Sequence, residues 1–320
     1  MVDLTHESCG EDDNDTLRNY EESEDHDDGG GGFIPLNDLK KLKDLRKVQL
    51  DQKFLTRARD VLGRWKEFVP KRDKGETQDG KEGDVMIRKF DFHITERQFV
   101  CLRPMTMLND QVINFYMSML NLYDQRMGKQ FQDRSKSHFF NSFFIERLLR
   151  TNKKYAFANV DKWTKRLPSI FDLDKIVFPI NRNLHWTLAC VCIKKKEIHY
   201  YDSLTDSCKS KCTVYDDFET MTKEMTDGTF YMNGLLRWIQ DEGKKNNVIV
   251  QKEEWTLIDH GNDFPQQKND YDCGLYAIVC ADHLSDNLPV IGECSSFSAA
   301  NMSFWREKVA VDMLRGKLTY

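Results

Sequence analysis

An α+β fold with a central mixed sheet flanked by helices is what this sequence predicts, on three observations. Helix-spaced apolar residues dominate 111–120 and 143–149, β-rich runs with short polar turns fill 175–202, and a late apolar helix opens on Cys273-Gly274. The third observation organises the rest. Pro265 and the amides and acids after it make a loop, and Leu275, Ile278, Val279, Ala281 and Leu284 then recur at helical spacing. Cys273 therefore falls in the first turn of a buried helix, where unpaired N–H groups and the helix dipole favour a thiolate over a thiol.

With 320 residues and 40% apolar side chains, the chain can build one large domain or two small ones. No stretch approaches the ~20 apolar residues of a membrane span. The first five residues lack the charged-then-apolar pattern of a signal peptide. Nine cysteines, an odd number with no regular framework, then read as reduced thiols in cytosol or nucleus. Cys208-x-x-x-Cys212 has no second cysteine pair or close histidine pair to complete four metal ligands, so no cofactor is expected. The net charge of −5 is uneven: residues 1–28 hold twelve acids against Arg18, leaving six surplus positive charges on the remainder. That surplus is too modest to argue for nucleic-acid binding.

Taken in order, residues 1–32 are acidic, nearly free of large apolar groups and end in four glycines, which predicts a disordered tail. Residues 33–83 read as a charged amphipathic helix and a polar linker. Leu39, Leu42, Leu45, Leu50, Phe54, Leu55, Ala58, Val61, Leu62 and Trp65 recur at about threes and fours, carrying the helix to about Phe68. The basic residues at 40, 41, 43, 46 and 47 could form a nuclear-import patch, although a solvated helix face is the simpler reading. The folded domain is placed at 84–320.

That domain opens with a strand at 85–90 and a short helical turn at 95–102. Asn109 or Asp110 caps a buried helix over 111–120, and 139–149 reads as another apolar helix. Trp163 sits in a basic loop with Lys162, Lys165 and Arg166, a setting that suits partner contact as well as plain packing. Strands follow at 175–180, 185–193 and 197–202, the last two joined by a turn at 194–196. Residues 204–228 read as a polar surface insertion, 230–239 as an amphipathic helix, 255–259 as one more strand and 302–318 as a closing helix.

A thiol nucleophile needs a base, a third group to fix the imidazole tautomer, and donors for the tetrahedral oxyanion. Antiparallel partners about a turn near Lys195 have numbers that sum to about 390, so His185 and Asp202 lie at the same end of one hairpin. Gln267, a few residues before Cys273, can aim its side-chain N–H at the space faced by the Cys273 backbone N–H. Cys273, His185, Asp202 and Gln267 can fill the four roles of nucleophile, base, orienting acid and oxyanion donor. His260 is a rival base without a hairpin carboxylate. His199 is expected to be packed, and Cys280 buried and inert. No G-x-S-x-G, P-loop or dinucleotide fingerprint occurs.

The blocks His185-Trp186, Tyr201-Asp202-Ser203 and Pro265-Gln266-Gln267-x-Asn269-x-x-Asp272-Cys273-Gly274 resemble the signature of the SUMO-specific (Ulp-type) cysteine proteases. Leu108-Asn109-Asp110-x-x-Ile113-Asn114-Phe115-Tyr116, Phe140-Asn141-Ser142-Phe143-Phe144 and Trp163-Thr164-Lys165 resemble the same family's N-terminal half, in the same order. The resemblance runs from about residue 85 to the end and implies a papain-like cysteine protease fold. It puts the family's catalytic His, Asp and Cys on His185, Asp202 and Cys273, and its oxyanion Gln on Gln267. It also implies a tunnel, roofed by two tryptophans, that admits the modifier's C-terminal Gly-Gly because glycine lacks Cβ. One of these tryptophans matches Trp186. The other falls on Met107, a flexible and softer lid. The family's modifier-contacting Asp matches Asp110, and Asn183 stands where the family usually has Gly.

The activity this resemblance implies is a SUMO-specific thiol isopeptidase and endopeptidase, acting on a SUMO-like modifier and its protein conjugates. The chain is expected to work as a monomer in nucleus or cytoplasm, with no nucleic-acid or membrane partner. A deneddylase shares the same catalytic blocks, and the Phe140–Phe144 block and the Trp163 loop favour SUMO over it. An acyltransferase would need a phosphate-binding glycine loop for its acyl-CoA, which is missing. A catalytically inactive modifier-binding module would not need all four catalytic positions filled.

Overall fold

The computed structural model describes residues 49–64, 85–131, 133–149, 154–167, 169–205, 210–215, 226–292, 295 and 297–319. All of them fall within one unit, Pro35–Tyr320. The acidic tail, the basic patch at 40–47 and the linker at 70–83 lie outside the described residues, as does Cys208.

In chain order the elements are helix α1 (Gln52–Arg64), a hairpin of β1 (Val85–Lys89) and β2 (Phe92–Thr95), and the short helix α2 (Glu96–Phe99). Then come α3 (Asp110–Gln130), β3 (Ser137–Phe139), α4 (Phe143–Leu148), β4 (Lys175–Arg182), β5 (His185–Cys192), β6 (Glu197–Tyr201) and β7 (Ser210–Cys212). The chain continues with α5 (Asp227–Lys245), β8 (Thr256–Asp259), α6 (Cys273–Ser285) and α7 (Met302–Arg315). Six strands form one mixed sheet in the order β3-β4-β5-β6-β8-β7. The pairs β4–β5, β5–β6 and β7–β8 are antiparallel, whereas β3–β4 and β6–β8 are parallel.

The continuous apolar run along β5 has a direct cause: helices cover both faces of the sheet. Trp186, Leu188 and Cys190 point into a core shared with α3, α6 and α7. Ala189 and Val191 point into a second core, with Phe144 of α4 and Leu235, Trp238 and Ile239 of α5. Every residue of α6 is buried, which its all-round apolar sequence requires. Asn109 is the residue that caps α3, accepting from the Val112 N–H at 2.9 Å.

Three elements differ from the expectation. Phe139 lies on β3, because 137–139 pair with β4 before the chain turns at Ser142 into α4. The polar insertion is not wholly a surface loop: Ser210–Cys212 adds an edge strand against β8, through backbone pairing that its side chains do not announce. The described part of the charged helix lies outside the expected 84–320 domain but packs on it. Leu55, Ala58 and Val61, spaced by three, are buried, and α1 lies against α7 with Arg59 paired to Glu307 at 2.7 Å. Burying an aliphatic side chain contributes about 1.5–3 kcal/mol, so this stripe is a sufficient reason for α1 to dock.

Candidate active site

Three neighbouring strands end or begin at one rim of the sheet, and each delivers a piece of the site. β5 begins there with His185. Arg182 pairs with His185 across a two-residue turn, Asn183-Leu184, in which both residues are left-handed (φ +51° and +67°). Such a turn matches the twist of a hairpin, and Asn tolerates positive φ better than other Cβ-bearing residues. That accounts for an Asn at a position where Gly would be easiest.

β6 ends there with Tyr201, and Asp202 follows. Leu188 pairs with Tyr201, one residue from the register expected. The hairpin brings His185 Nε2 to 2.7 Å from Asp202 Oδ1. The same oxygen accepts the Leu204 N–H at 2.8 Å, which holds the carboxylate still. With Nε2 committed to Asp202, Nδ1 is the ring nitrogen left for Cys273. Hydrogen bonds to Asp202 and then to Cys273 push the His185 pKa up to about 10, against a smaller opposing effect of burial. The arrangement favours an imidazolium beside a carboxylate and a sulfur.

β8 ends at Asp259, and the loop after it leads to Cys273, the first residue of α6 and only 1% exposed. The first N–H groups of a helix have no intrahelical acceptor, so those of Cys273 and Gly274 are suited to hold an oxyanion. Gln267 is buried, and its backbone N–H donates to the Ser203 carbonyl at 2.7 Å. Its Oε1 accepts from the Ser203 hydroxyl at 2.7 Å, and its Nε2 donates to the Asn269 carbonyl. The amide is thereby fixed in one orientation, and Nε2 keeps a second proton for a ligand. Ser203 lies inside a block read from sequence, but no local pattern signals its bond to a residue 64 positions on.

Trp186 is buried, and its indole donates to the Leu108 carbonyl at 3.0 Å. Gly274 lies beneath: a Cβ there would sit 2.9 Å from the Leu108 Cβ and 3.1 Å from Trp186 Cδ1. Met107, next to Leu108, is 40% exposed, and Asp110 is half-buried in the first turn of α3. Trp163 is not part of this group. It is half-buried and packs against the second core, its ring centroid 5.6 Å from that of Phe144. The rival base His260 is buried in a stack on Tyr201, with its Nε2 3.0 Å from His199 Nδ1. Burial raises the Cys280 thiol well above its usual range, as an inert core cysteine requires.

Residues 106–316 match the model of the Ulp1 protease family, C-terminal catalytic domain. The chain belongs to the Ulp1 protease family. Among its relatives, ubiquitin-like-specific protease 1A of Arabidopsis thaliana is 30% identical over 261 residues, covering 78% of this chain and 46% of that protein. Human sentrin-specific protease 2 is 28% identical over 241 residues, covering 75% and 35%. The chain thus spans less than half the length of these two relatives. A solved structure of the SUMO protease Ulp1, its catalytic cysteine oxidised to a sulfonic acid, superposes with a TM-score of 0.61 at 25% identity, covering 83% of this chain and 96% of that one. The C-terminal Ulp1 protease domain in complex with Smt3, the yeast ortholog of SUMO, gives 0.60 at 24%, covering 89% and 99%. The Ulp1 fold is therefore the α+β fold expected. Among the described residues, no helix is long and apolar enough to cross a membrane.

Proposed function

We propose that the chain is a thiol isopeptidase and endopeptidase that cleaves after the C-terminal Gly-Gly of a SUMO-like modifier, both in precursors and in lysine conjugates. The observation that carries this reading is the His185–Asp202 pair hydrogen-bonded towards a cysteine at a helix start, beside an amide locked by Ser203. Membership of the Ulp1 family and the names of its relatives support the substrate class.

Cys273 sulfur attacks the glycine carbonyl carbon, and the carbonyl oxygen becomes an oxyanion held by Gln267 Nε2 and the N–H groups at the head of α6. His185, oriented by Asp202, gives its proton to the leaving lysine amine as the C–N bond breaks. It then takes a proton from water, which attacks the thioester and releases the modifier with a free glycine carboxylate. Trp186, tethered to Leu108 and packed close on Gly274, forms one wall of the path of the modifier's Gly-Gly, whose missing Cβ atoms let it pass near the ring. Met107 and Asp110 contact the modifier at the mouth.

The enzyme acts as a monomer in nucleus or cytosol. The acidic residues 1–28 and the rest of the segment before residue 84 govern location or substrate choice. The test is a panel of C-terminally tagged modifiers. Wild type should cleave tagged SUMO in preference to NEDD8 or ubiquitin, and Cys273→Ala should bind SUMO without cleaving it. Unchanged turnover by Cys273→Ala ends the proposal, and preferred cleavage of tagged NEDD8 makes the chain a deneddylase.

A further inference from the structure

One buried cation outside the catalytic group spans two segments that matter to it. Arg306 of α7 is 5% exposed. Its Nη1 donates to three main-chain carbonyls, of Cys101 at 3.1 Å, Arg103 at 3.0 Å and Thr106 at 2.9 Å. Its Nη2 donates to Asp272 Oδ1 at 2.5 Å. Asp272 directly precedes Cys273. Its carboxylate makes no capping bond to α6, and its other oxygen accepts from Asn269 Nδ2 at 2.9 Å. Asn269 in turn receives the Gln267 amide through its carbonyl and the Tyr271 and Asp272 N–H groups through its side chain.

The segment held at the other end is unusual. Met105 lies between two of the clamped carbonyls, is 75% exposed and adopts a left-handed backbone (φ +57°). Such a conformation costs a Cβ-bearing residue about 1–3 kcal/mol and persists only where surrounding bonds impose it. The next residues are Thr106, whose carbonyl Arg306 holds, then Met107 and Leu108, the anchor of the Trp186 indole.

We infer that Arg306 is a positioning residue that ties the Met107 loop to the turn bearing Cys273, and so sets the width of the slot the modifier's C-terminus enters. Lysine cannot replace it. One ammonium can keep the Asp272 pair, but only a planar guanidinium spans the carboxylate and the carbonyls together. The slot half of the inference rests on the proposed protease activity, and the tether half does not.

The test uses the full chain with Arg306→Lys and Arg306→Gln, and a SUMO–Gly-Gly–aminocoumarin substrate. Arg306→Lys should raise KM about tenfold with kcat within about threefold, the signature of lost binding with intact chemistry. Met107→Ala should add little further increase in KM in the Arg306→Lys background, because both changes act through one loop. Amide hydrogen exchange, read without any substrate, should speed up at least about tenfold over 103–107 in both variants and stay unchanged along β5. Exchange at 103–107 equal to wild type overturns the tether. Faster exchange with KM unchanged overturns the slot while leaving the tether. A wild-type protein that cleaves no Gly-Gly substrate sinks the protease reading, and the exchange result still decides the tether.

Discussion

Removing the acid from the His185–Asp202 pair should move the enzyme's alkaline limit, and the size of the move follows from the geometry. With Nε2 and Oδ1 2.7 Å apart, the two charges are centred about 4 Å from each other. At the effective dielectric of a protein surface they attract by about 4 kcal/mol, and about 1.4 kcal/mol corresponds to one pKa unit. The His185 side chain is 27% exposed, so water screens part of this, and we expect Asp202→Ala to lower its pKa by about one to two units. The sign is fixed by the raised value. The imidazolium that protonates the leaving amine persists up to about pH 10 in the wild type, and its loss as pH rises sets the alkaline limb of kcat/KM. In the variant that limb should move towards neutral pH, and kcat should fall by about 10²–10⁴. The pair's contribution to fold stability has the same sense. It is fully present below the unfolded histidine pKa of about 6.5 and is lost as pH rises through about 10. The assay is the pH dependence of initial rates on a Gly-Gly fluorogenic substrate, with far-UV circular dichroism at each pH to exclude unfolding. An alkaline limb that superposes on the wild type would refute the assignment of Asp202 as the source of the raised pKa.

Other consequences can be measured alongside. Gly274→Ala puts a methyl group 2.9 Å from the Leu108 Cβ; overpacking of this kind costs about 1–3 kcal/mol, and we expect most activity lost while thermal unfolding stays cooperative. Met107→Trp should tighten the slot by about 0.5–1.5 kcal/mol of aromatic contact, read as a fall in KM of about two- to tenfold. Lys308 and Asp312 form a buried ion pair at 2.6 Å, so Lys308→Ala, which leaves the Asp312 charge uncompensated, should cost about 3–5 kcal/mol in urea unfolding. Leu55→Ala on α1 should cost about 2–3 kcal/mol and lower Tm by about 5–10 °C; an unchanged Tm would mean that α1 does not hold the domain in solution.

What the sequence reveals of the site follows locality. His185 and Asp202 sit on one hairpin whose strands announce themselves by β-rich pattern and a lysine turn, so their meeting is a matter of counting register, and the count is off by one residue. Cys273 is legible because a polar loop and an apolar helix meet at it. Ser203, Asn269 and Arg306 are another matter. Each acts through a bond to a loop that only tertiary folding brings near, and an arginine on an amphipathic helix looks like any solvated charge. Trp163, an aromatic among basic loop residues, has the composition of a contact site, and the structure adds what composition could not show: it packs on Phe140 and Phe144 and stays half-buried. β7 and β3 are short edge strands held mainly by backbone pairing, so their side chains carry little periodic signal.

The six-stranded sheet partitions the interior into two cores, and this has a consequence for how the molecule tolerates change over evolutionary time. Trp186, the nucleophile helix and the Leu108 anchor all belong to one core, while α4, α5 and the aromatic cluster around Trp238 belong to the other. β4, β5 and β6 are the shared wall, with alternate residues addressed to opposite sides. Drift among the residues of the α4–α5 layer can therefore be absorbed by repacking on that side. Substitutions that displace the β5 or β6 backbone are the ones transmitted to His185 and Asp202, so the α4–α5 layer can diversify more freely than the reacting half.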